Sequence, residues 1–441
     1  MKSNSLPLLC FKIYLILVLI VIFSVFIRLP NFFSPLLELH DFRQTQTASN
    51  VWLYQKFGFK LFEYHVPMFG GMYWMNEFPT YQMVVFLFSK IFGFHDWVGR
   101  LVSLISIINS IILLFYIYLK LLGNKIQSLY GVLIYTLTPL NIFFYRTYIP
   151  DPLILSISLG TLFLTFRLNK KFSYKILYSI YFLILLCLLS KITITFSLIF
   201  PILYLIYRSI NKHKDKIKIY KISIGFILLS IILYFFWYQH TQFLNSKSFT
   251  LSDGTLINWY LGTKFLSLDF YRVIFSRIIG EISILGILLS LLGLLYLKSL
   301  KNENTKMPIY PVISLLIAIG IIKFNNIFTG KTISKIIILL FFTYYYFNSF
   351  DKMKSIYAPY TEYSHNILSI ADTIKSCTSP NYKIISAWPN ADPNHPTIFY
   401  YSKRIGYNLD LIKISKLNEI LNSDNEIKYL VLYPVDRNSK Q

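Results

Sequence analysis

The chain reads as an all-α polytopic transmembrane bundle of about ten spans, with extracytoplasmic loop helices and a small C-terminal α/β domain. Three observations predict this. Long apolar runs recur through the first 350 of 441 residues, in a chain that is 55% hydrophobic with a mean hydropathy of +0.53. The basic residues behind a formal charge of +23 gather in short segments between those runs. Beyond residue 350 the composition changes, and the last 91 residues hold nine of the 20 acids. The expected domains are therefore residues 1–350 in the membrane, with a first extracytoplasmic loop at 28–97, and a soluble tail at 351–441.

About 20 apolar residues cross a bilayer. The clearest runs are Leu9–Ile27, Val98–Leu121, Ser128–Tyr145, Pro152–Phe166, Ile176–Ser190, Ile192–Tyr207, Ile222–Trp237, Ile278–Leu297, Pro308–Ile322 and Ile333–Phe347. They are continuous rather than alternating, so helices and not barrel strands are expected. The first run lacks a small-residue cleavage site and is followed by Arg28-Leu29-Pro30, which reads as an uncleaved span. Cys10, Cys187 and Cys377 imply no disulfide framework.

Arg167, Lys170, Lys171 and Lys175 share one inter-span segment. Arg208, Lys212, Lys214, Lys216, Lys218 and Lys221 share another, and Lys298, Lys301 and Lys306 a third. Such clustering is the positive-inside pattern and places these segments in the cytoplasm. It also excludes a nucleic-acid partner, which would need a basic face on a soluble domain. The five acids of the first 150 residues, Glu38, Asp41, Glu63, Glu77 and Asp96, all fall between the first and second long runs. That stretch is too long for a bare connector and is expected to carry its own structure. Thr45–Phe57 reads as a helix lying along the membrane surface, Pro67, Gly70 and Gly71 as a break, and Tyr81–Phe92 as a second helix dipping into the interface. The other sizeable extracytoplasmic loop spans 240–277, with turn chemistry at Ser252-Asp253-Gly254. In the tail, Ser364–Ser376 and Leu417–Asn422 read as helices, and Lys383–Ala387, Thr397–Tyr401 and Lys428–Leu432 as strands.

Ionisable groups at a membrane mouth are costly and so are candidate functional residues. Asp41, in His40-Asp41-Phe42-Arg43-Gln44, could be a general base that takes a proton from an attacking hydroxyl. It could equally be a helix N-cap, since Asp is among the preferred caps. Glu77, in Asn76-Glu77-Phe78-Pro79-Thr80-Tyr81, faces the same choice between a site carboxylate and a first-turn acid favoured by the helix dipole. Arg146 and Asp151 bracket a short external turn, as a phosphate-binding pair or as a pair that satisfies itself. Lys191 is a lone external cation between two spans, for a lipid phosphate or for ordinary headgroups. There is no phosphate-cradling glycine loop, and no HExxH, CxxC or GxSxG pattern. His40, His65, His95, His240 and His395 are scattered, so they suggest no metal site.

These pieces together resemble the GT-C membrane glycosyltransferases, in the bacterial branch related to protein O-mannosyltransferases and the lipid A aminoarabinose transferase. The resemblance rests on Arg28-Leu29-Pro30, His40 through Gln44 with Thr47-Ala48, and Glu77 through Tyr81. Gly93-Phe94, Trp97-Val98-Gly99-Arg100, Arg146 through Asp151, Ser190-Lys191 and Trp237-Tyr238 follow in that branch's order. It covers roughly residues 9–300.

The resemblance implies a hexosyl- or pentosyl-type transferase in the bacterial inner membrane with an extracytoplasmic active site. Its donor would be a polyprenyl-phosphate sugar, its acceptor a glycan, lipid or protein, and its surroundings membrane lipids. Asp41 would be the base for inverting transfer. Arg146 and Lys191 would face the lipid phosphate, while Arg43, Gln44, Glu77, Tyr81 and Asp151 would hold substrates. No cofactor is required by the pattern, and a divalent cation is left open. Two alternatives belong to other classes: a lipid-linked sugar transporter or flippase, and a non-catalytic relative. Near the last spans the branch carries a His-x-Tyr-Tyr-x-Leu-Pro-like loop, where this chain has only Pro308-Ile309-Tyr310-Pro311. Ten crossings from a cytoplasmic N-terminus would also return the tail to the cytoplasm, whereas the branch has its tail outside.

Overall fold

The computed structural model describes residues 5–247 except 75–76, then 362–388, 395–411 and 416–432, with scattered residues of 267–351 between them. The chain divides into two compact units. One comprises Met1–Phe32, Arg100–Ile231 and Leu261–Tyr357; the other comprises Phe33–Gly99, Ile232–Tyr260 and Ala358–Gln441.

The first unit is helical. It contains α1 (Ser5–Phe26), most of α4 (Asp96–Leu122), α5 (Lys125–Leu137), α6 (Pro139–Phe144), α7 (Asp151–Lys170), α8 (Tyr174–Asn211) and the first half of α9 (Lys216–Asn245). Among the described residues, four helices are long and apolar enough to cross a membrane: Asp96–Leu122, Asp151–Lys170, Tyr174–Thr195 and Lys216–Asn245. Phe11–Phe26, Thr80–Phe92 and Leu198–Asn211 are shorter apolar helices. The three runs expected at 278–297, 308–322 and 333–347 lie largely outside the described residues. The run expected at Ser128–Tyr145 is not one helix. Pro139 forces Thr138 into extended backbone (φ −61°, ψ 125°) and splits it into α5 and α6. Asn124 starts α5 by accepting from the backbone N–H groups of Ile126 and Gln127 at 2.9 and 3.2 Å.

The contacts along α8 reveal a reversal. Lys191 is its one non-helical residue (φ −162°, ψ 88°). Its ammonium meets Asp151, the first residue of α7, at 2.8 Å. Farther on, the Ser209 hydroxyl donates to the Leu168 carbonyl near the other end of α7 at 3.1 Å. Beyond both ends the Phe172 and His213 rings meet with centroids 4.4 Å apart. The chain therefore runs out along α7, turns back after Lys170 to reach Lys191 beside Asp151, then folds there and runs out again, as two separate runs in the sequence predict. Both basic segments, 167–175 and 208–221, flank the same end of this hairpin, opposite Lys191.

The second unit joins the first loop to the tail. Its helices are α2 (Asp41–Phe57), α3 (Thr80–Phe92), α10 (Glu362–Cys377), α11 (Thr397–Ser402) and α12 (Lys416–Ser423). Its strands β1 (Lys383–Trp388), β2 (Gly406–Asp410) and β3 (Ile427–Leu432) form a parallel sheet in the order β2-β1-β3. Thr397–Tyr401 is expected as a strand on its β-branched and aromatic residues, and is instead α11. The reason is topological: β1 and β2 pair in parallel, and parallel neighbours need a crossover between them. Local propensity loses to that requirement. The strand beside β1 is Gly406–Asp410, which the sequence reading does not anticipate.

Contacts inside this unit also settle two expectations about the loop. The hairpin closed by the His65–Tyr73 bridge tucks its Phe69–Gly71 turn against β2, where the Gly406 N–H donates to the Pro67 carbonyl at 2.9 Å. Gly70 (φ +68°) has no room for a Cβ, which would lie 2.3 Å from the Tyr407 hydroxyl. Helix α2 is buried from Thr47 through Tyr54 on every face, so it is a core helix rather than one lying on the membrane surface. Second, the tail bonds directly to the loop: Tyr400 and Tyr401 donate to the Asp96 carboxylate at 2.5 and 3.1 Å, and the Leu36 N–H donates to Tyr401 at 2.5 Å. Loop and tail therefore pack against one another within this unit.

Candidate active site

Asp41 is the first residue of α2 and is set there by strain. His40, just before it, takes left-handed backbone (φ 63°, ψ 32°), which non-glycine residues rarely adopt. Gln44, fully buried, reaches back to the Leu39 carbonyl at 3.2 Å and braces that turn. The Thr45 hydroxyl donates to the Asp41 carbonyl at 2.7 Å, so the hydroxyl of Thr397, 3.0 Å away in the tail, is the donor to Thr45. The carboxylate of Asp41 makes no capping bond, and the N-cap position falls on His40. It is instead about a quarter exposed, with Oδ2 3.7 Å from Nε2 of His395. The imidazole of His395 packs on Phe42 with ring centroids 5.5 Å apart. Residues 41 and 395 are brought together only by the docking of loop and tail. No local pattern could have announced the pair, and His395 stands among the histidines that the sequence reading leaves unassigned.

The other candidates of this unit are dispersed. Arg43 is exposed on α2, with its carbonyl accepting from the Thr47 hydroxyl at 2.9 Å. Glu77 is half-buried, and its carbonyl accepts from Tyr64 at 3.0 Å. Tyr81 has no exposed surface, and its hydroxyl donates to the Gly99 carbonyl at 2.8 Å, bolting α3 to the start of α4. Nearby, Lys403 stands over the Tyr400 ring at 3.7 Å, with Phe94 at 4.8 Å and Trp52 at 5.4 Å. Desolvation among these rings pushes its ammonium down to about 7, against the pull of Asp96.

In the first unit, Lys191 and Asp151 form an ion pair at 2.8 Å at the tip of the α7–α8 fold, with side chains 18% and 25% exposed. Both are reachable from solvent. Arg146 is not. It is fully buried and donates from Nη1 to the Pro30 carbonyl. Two more buried arginines grip the same turn. Arg28 donates to the Ser24 carbonyl at 2.8 Å and the Asn141 carbonyl at 3.1 Å, while Arg100 donates to the Asn31 and Phe32 carbonyls at 3.0 and 2.9 Å. An arginine inside a protein needs such partners. The geometry places Arg146 as one of three fasteners of the turn after α1. Among the described residues, no group of three or more His, Cys, Asp or Glu is placed to hold a metal ion.

Three comparisons show what the chain is similar to. Residues 77–238 match the family model described as dolichyl-phosphate-mannose-protein mannosyltransferase. No curated sequence matches the chain. Among solved structures, ArnT from Cupriavidus metallidurans bound to undecaprenyl phosphate superposes with a TM-score of 0.53 at 9% identity, covering 94% of this chain and 89% of its own. The apo state of the same ArnT gives 0.51 at 9% identity, covering 91% and 87%. The Archaeoglobus fulgidus oligosaccharyltransferase, in complex with Zn and sulfate, gives 0.52 at 11% identity, covering 89% of this chain and 62% of its own. The matched stretch begins at Glu77 and ends at Tyr238, two segments on which the sequence resemblance rests. Over nine-tenths of its length, the chain shares the fold of that ArnT.

Proposed function

We propose that the protein transfers a sugar from a polyprenyl-phosphate donor to an acceptor hydroxyl at the extracytoplasmic face, with inversion and with Asp41 as general base. The observation that carries this reading is the state of the Asp41 carboxylate. It sits at a helix N-terminus, is partly open to solvent, and is not consumed as a cap. In the step, the acceptor oxygen bonds to the anomeric carbon as its proton passes to Asp41. The bond from that carbon to phosphate oxygen breaks, and its electron pair leaves with the lipid phosphate. Lys191 neutralises the charge that grows on this leaving group. An ammonium has three donor hydrogens, so its contact with Asp151 does not by itself exhaust it. Arg43 and Glu77 line the approach of substrates, and Gln44 holds the turn that aims Asp41.

The test is label transfer from a panel of radiolabelled polyprenyl-phosphate sugars into membranes holding wild type or Asp41→Asn. Transfer by wild type that vanishes in the variant, with equal protein inserted, is the expected result. Wild-type transfer that survives in Asp41→Asn would remove Asp41 as base. No transfer from any donor would favour a non-catalytic relative.

A further inference from the structure

We infer that His395, presented by the C-terminal domain, is the positioning residue of the Asp41 carboxylate; this rests on the reading of Asp41 as base. The imidazole is held from three directions. Its ring packs on Phe42, the neighbour of Asp41. Its carbonyl accepts from Nδ2 of Asn408, a buried residue of β2, at 2.7 Å. Two residues along, Thr397 donates to Thr45, which is itself bonded to the Asp41 carbonyl. The backbone of one partner is thus tied to the backbone of the other through two buried hydroxyls. This fixes the Nε2 to Oδ2 separation of 3.7 Å from both sides.

A distance of 3.7 Å is longer than a hydrogen bond, and bonds at unliganded sites commonly tighten when substrate binds. A carboxylate has two oxygens and about four acceptor positions. Donation from Nε2–H to Oδ2 orients the group and leaves Oδ1 to take the acceptor proton. Asp41 is within ion-pair reach of His395. His40 and Arg43 flank it on the loop, and Asp410 ends β2 just beyond Asn408. The tail domain would then complete the active site, because it supplies the imidazole that orients the carboxylate of the base.

Two measurements on the full-length protein test this. In transfer assays, His395→Ala lowers kcat by about tenfold or more, short of the ~10²–10⁴-fold that a general base contributes, with donor KM unchanged. His395→Gln, which keeps a donor near the Nε2 position, retains most of the activity. Equal loss in both variants, or no loss in His395→Ala, would overturn the assignment. The second measurement needs no activity. In protein labelled with ¹³C-histidine, the resonance missing from His395→Gln identifies His395, and its titration midpoint in wild type is compared with Asp41→Asn. A midpoint that falls in Asp41→Asn supports the pair, and an unchanged midpoint excludes it. Should wild type transfer no sugar, the base assignment fails on its own, and the titration separately decides whether Asp41 and His395 interact.

Discussion

Asp41 and Asp151 occupy the same local position in two different units, and they face different partners. Each is the first residue of its helix, where the positive end of the helix dipole favours a carboxylate. Each keeps about a quarter of its side chain exposed. Asp151 faces a lysine ammonium at 2.8 Å, within ion-pair contact. Asp41 faces an imidazole at 3.7 Å, beyond hydrogen-bond distance. A carboxylate bound tightly to ammonium makes a poor base and a good anchor. One beside a histidine stays available for a proton. The partner, and not the helix position, separates the two roles.

The comparison can be broken most sharply at the two acids. Asp41→Asn is expected to cut sugar transfer by about 10²–10⁴-fold, while Asp151→Asn costs far less, because Lys191 remains. Comparable losses in both, measured as kcat, would erase the distinction. Lys191→Met comes next in size: donor KM should rise by more than acceptor KM, as expected for a cation facing the lipid phosphate. A change confined to the acceptor would refute that role.

Arg146→Ala sharpens the contrast between an exposed cation and a buried one. Removing it deletes a fully buried guanidinium and its bond to the Pro30 carbonyl, a charged hydrogen bond worth about 1.5–3 kcal/mol. The expected signature is a lower thermal midpoint, with donor and acceptor use reduced equally. A selective loss of donor affinity would instead restore Arg146 as a phosphate ligand.

The smallest expected effect lies at Lys403. Its ammonium is pushed down to about 7 in the folded protein, from an ordinary value near 10.5. Between those values the unfolded chain binds more protons than the folded one, so stability rises with pH from about 7 to 10.5. Below 7 both forms are protonated and the penalty is constant. Lys403→Met should flatten that slope in thermal melts followed across this range, and an unchanged slope would exclude Lys403 as its source.

Much of this was legible in the sequence. Helices α4, α7 and α9 follow from apolar runs that needed only length. The fold at Lys191 follows from two runs separated by a single charged residue. Asp41 stands out because an acid at a membrane mouth carries a desolvation cost. Other features were misread for identifiable reasons. The residues of α11 favour a strand locally, and only the parallel pairing of β1 and β2 forces a helix there. Tyr81 and Arg146 stand out by type and place, and the structure adds a bond from each to a backbone carbonyl, of Gly99 and of Pro30.

The sequence by itself determined the membrane class, the hairpin of spans and the candidate acid, because hydropathy and charge act residue by residue along the chain. Only the tertiary structure decided what faces that acid and that the tail packs against the first loop. Both depend on contacts between residues hundreds of positions apart, such as Asp41 with His395 and Asp96 with Tyr400. Contacts of that kind leave no periodic trace in the sequence, because they arise only when separate segments pack.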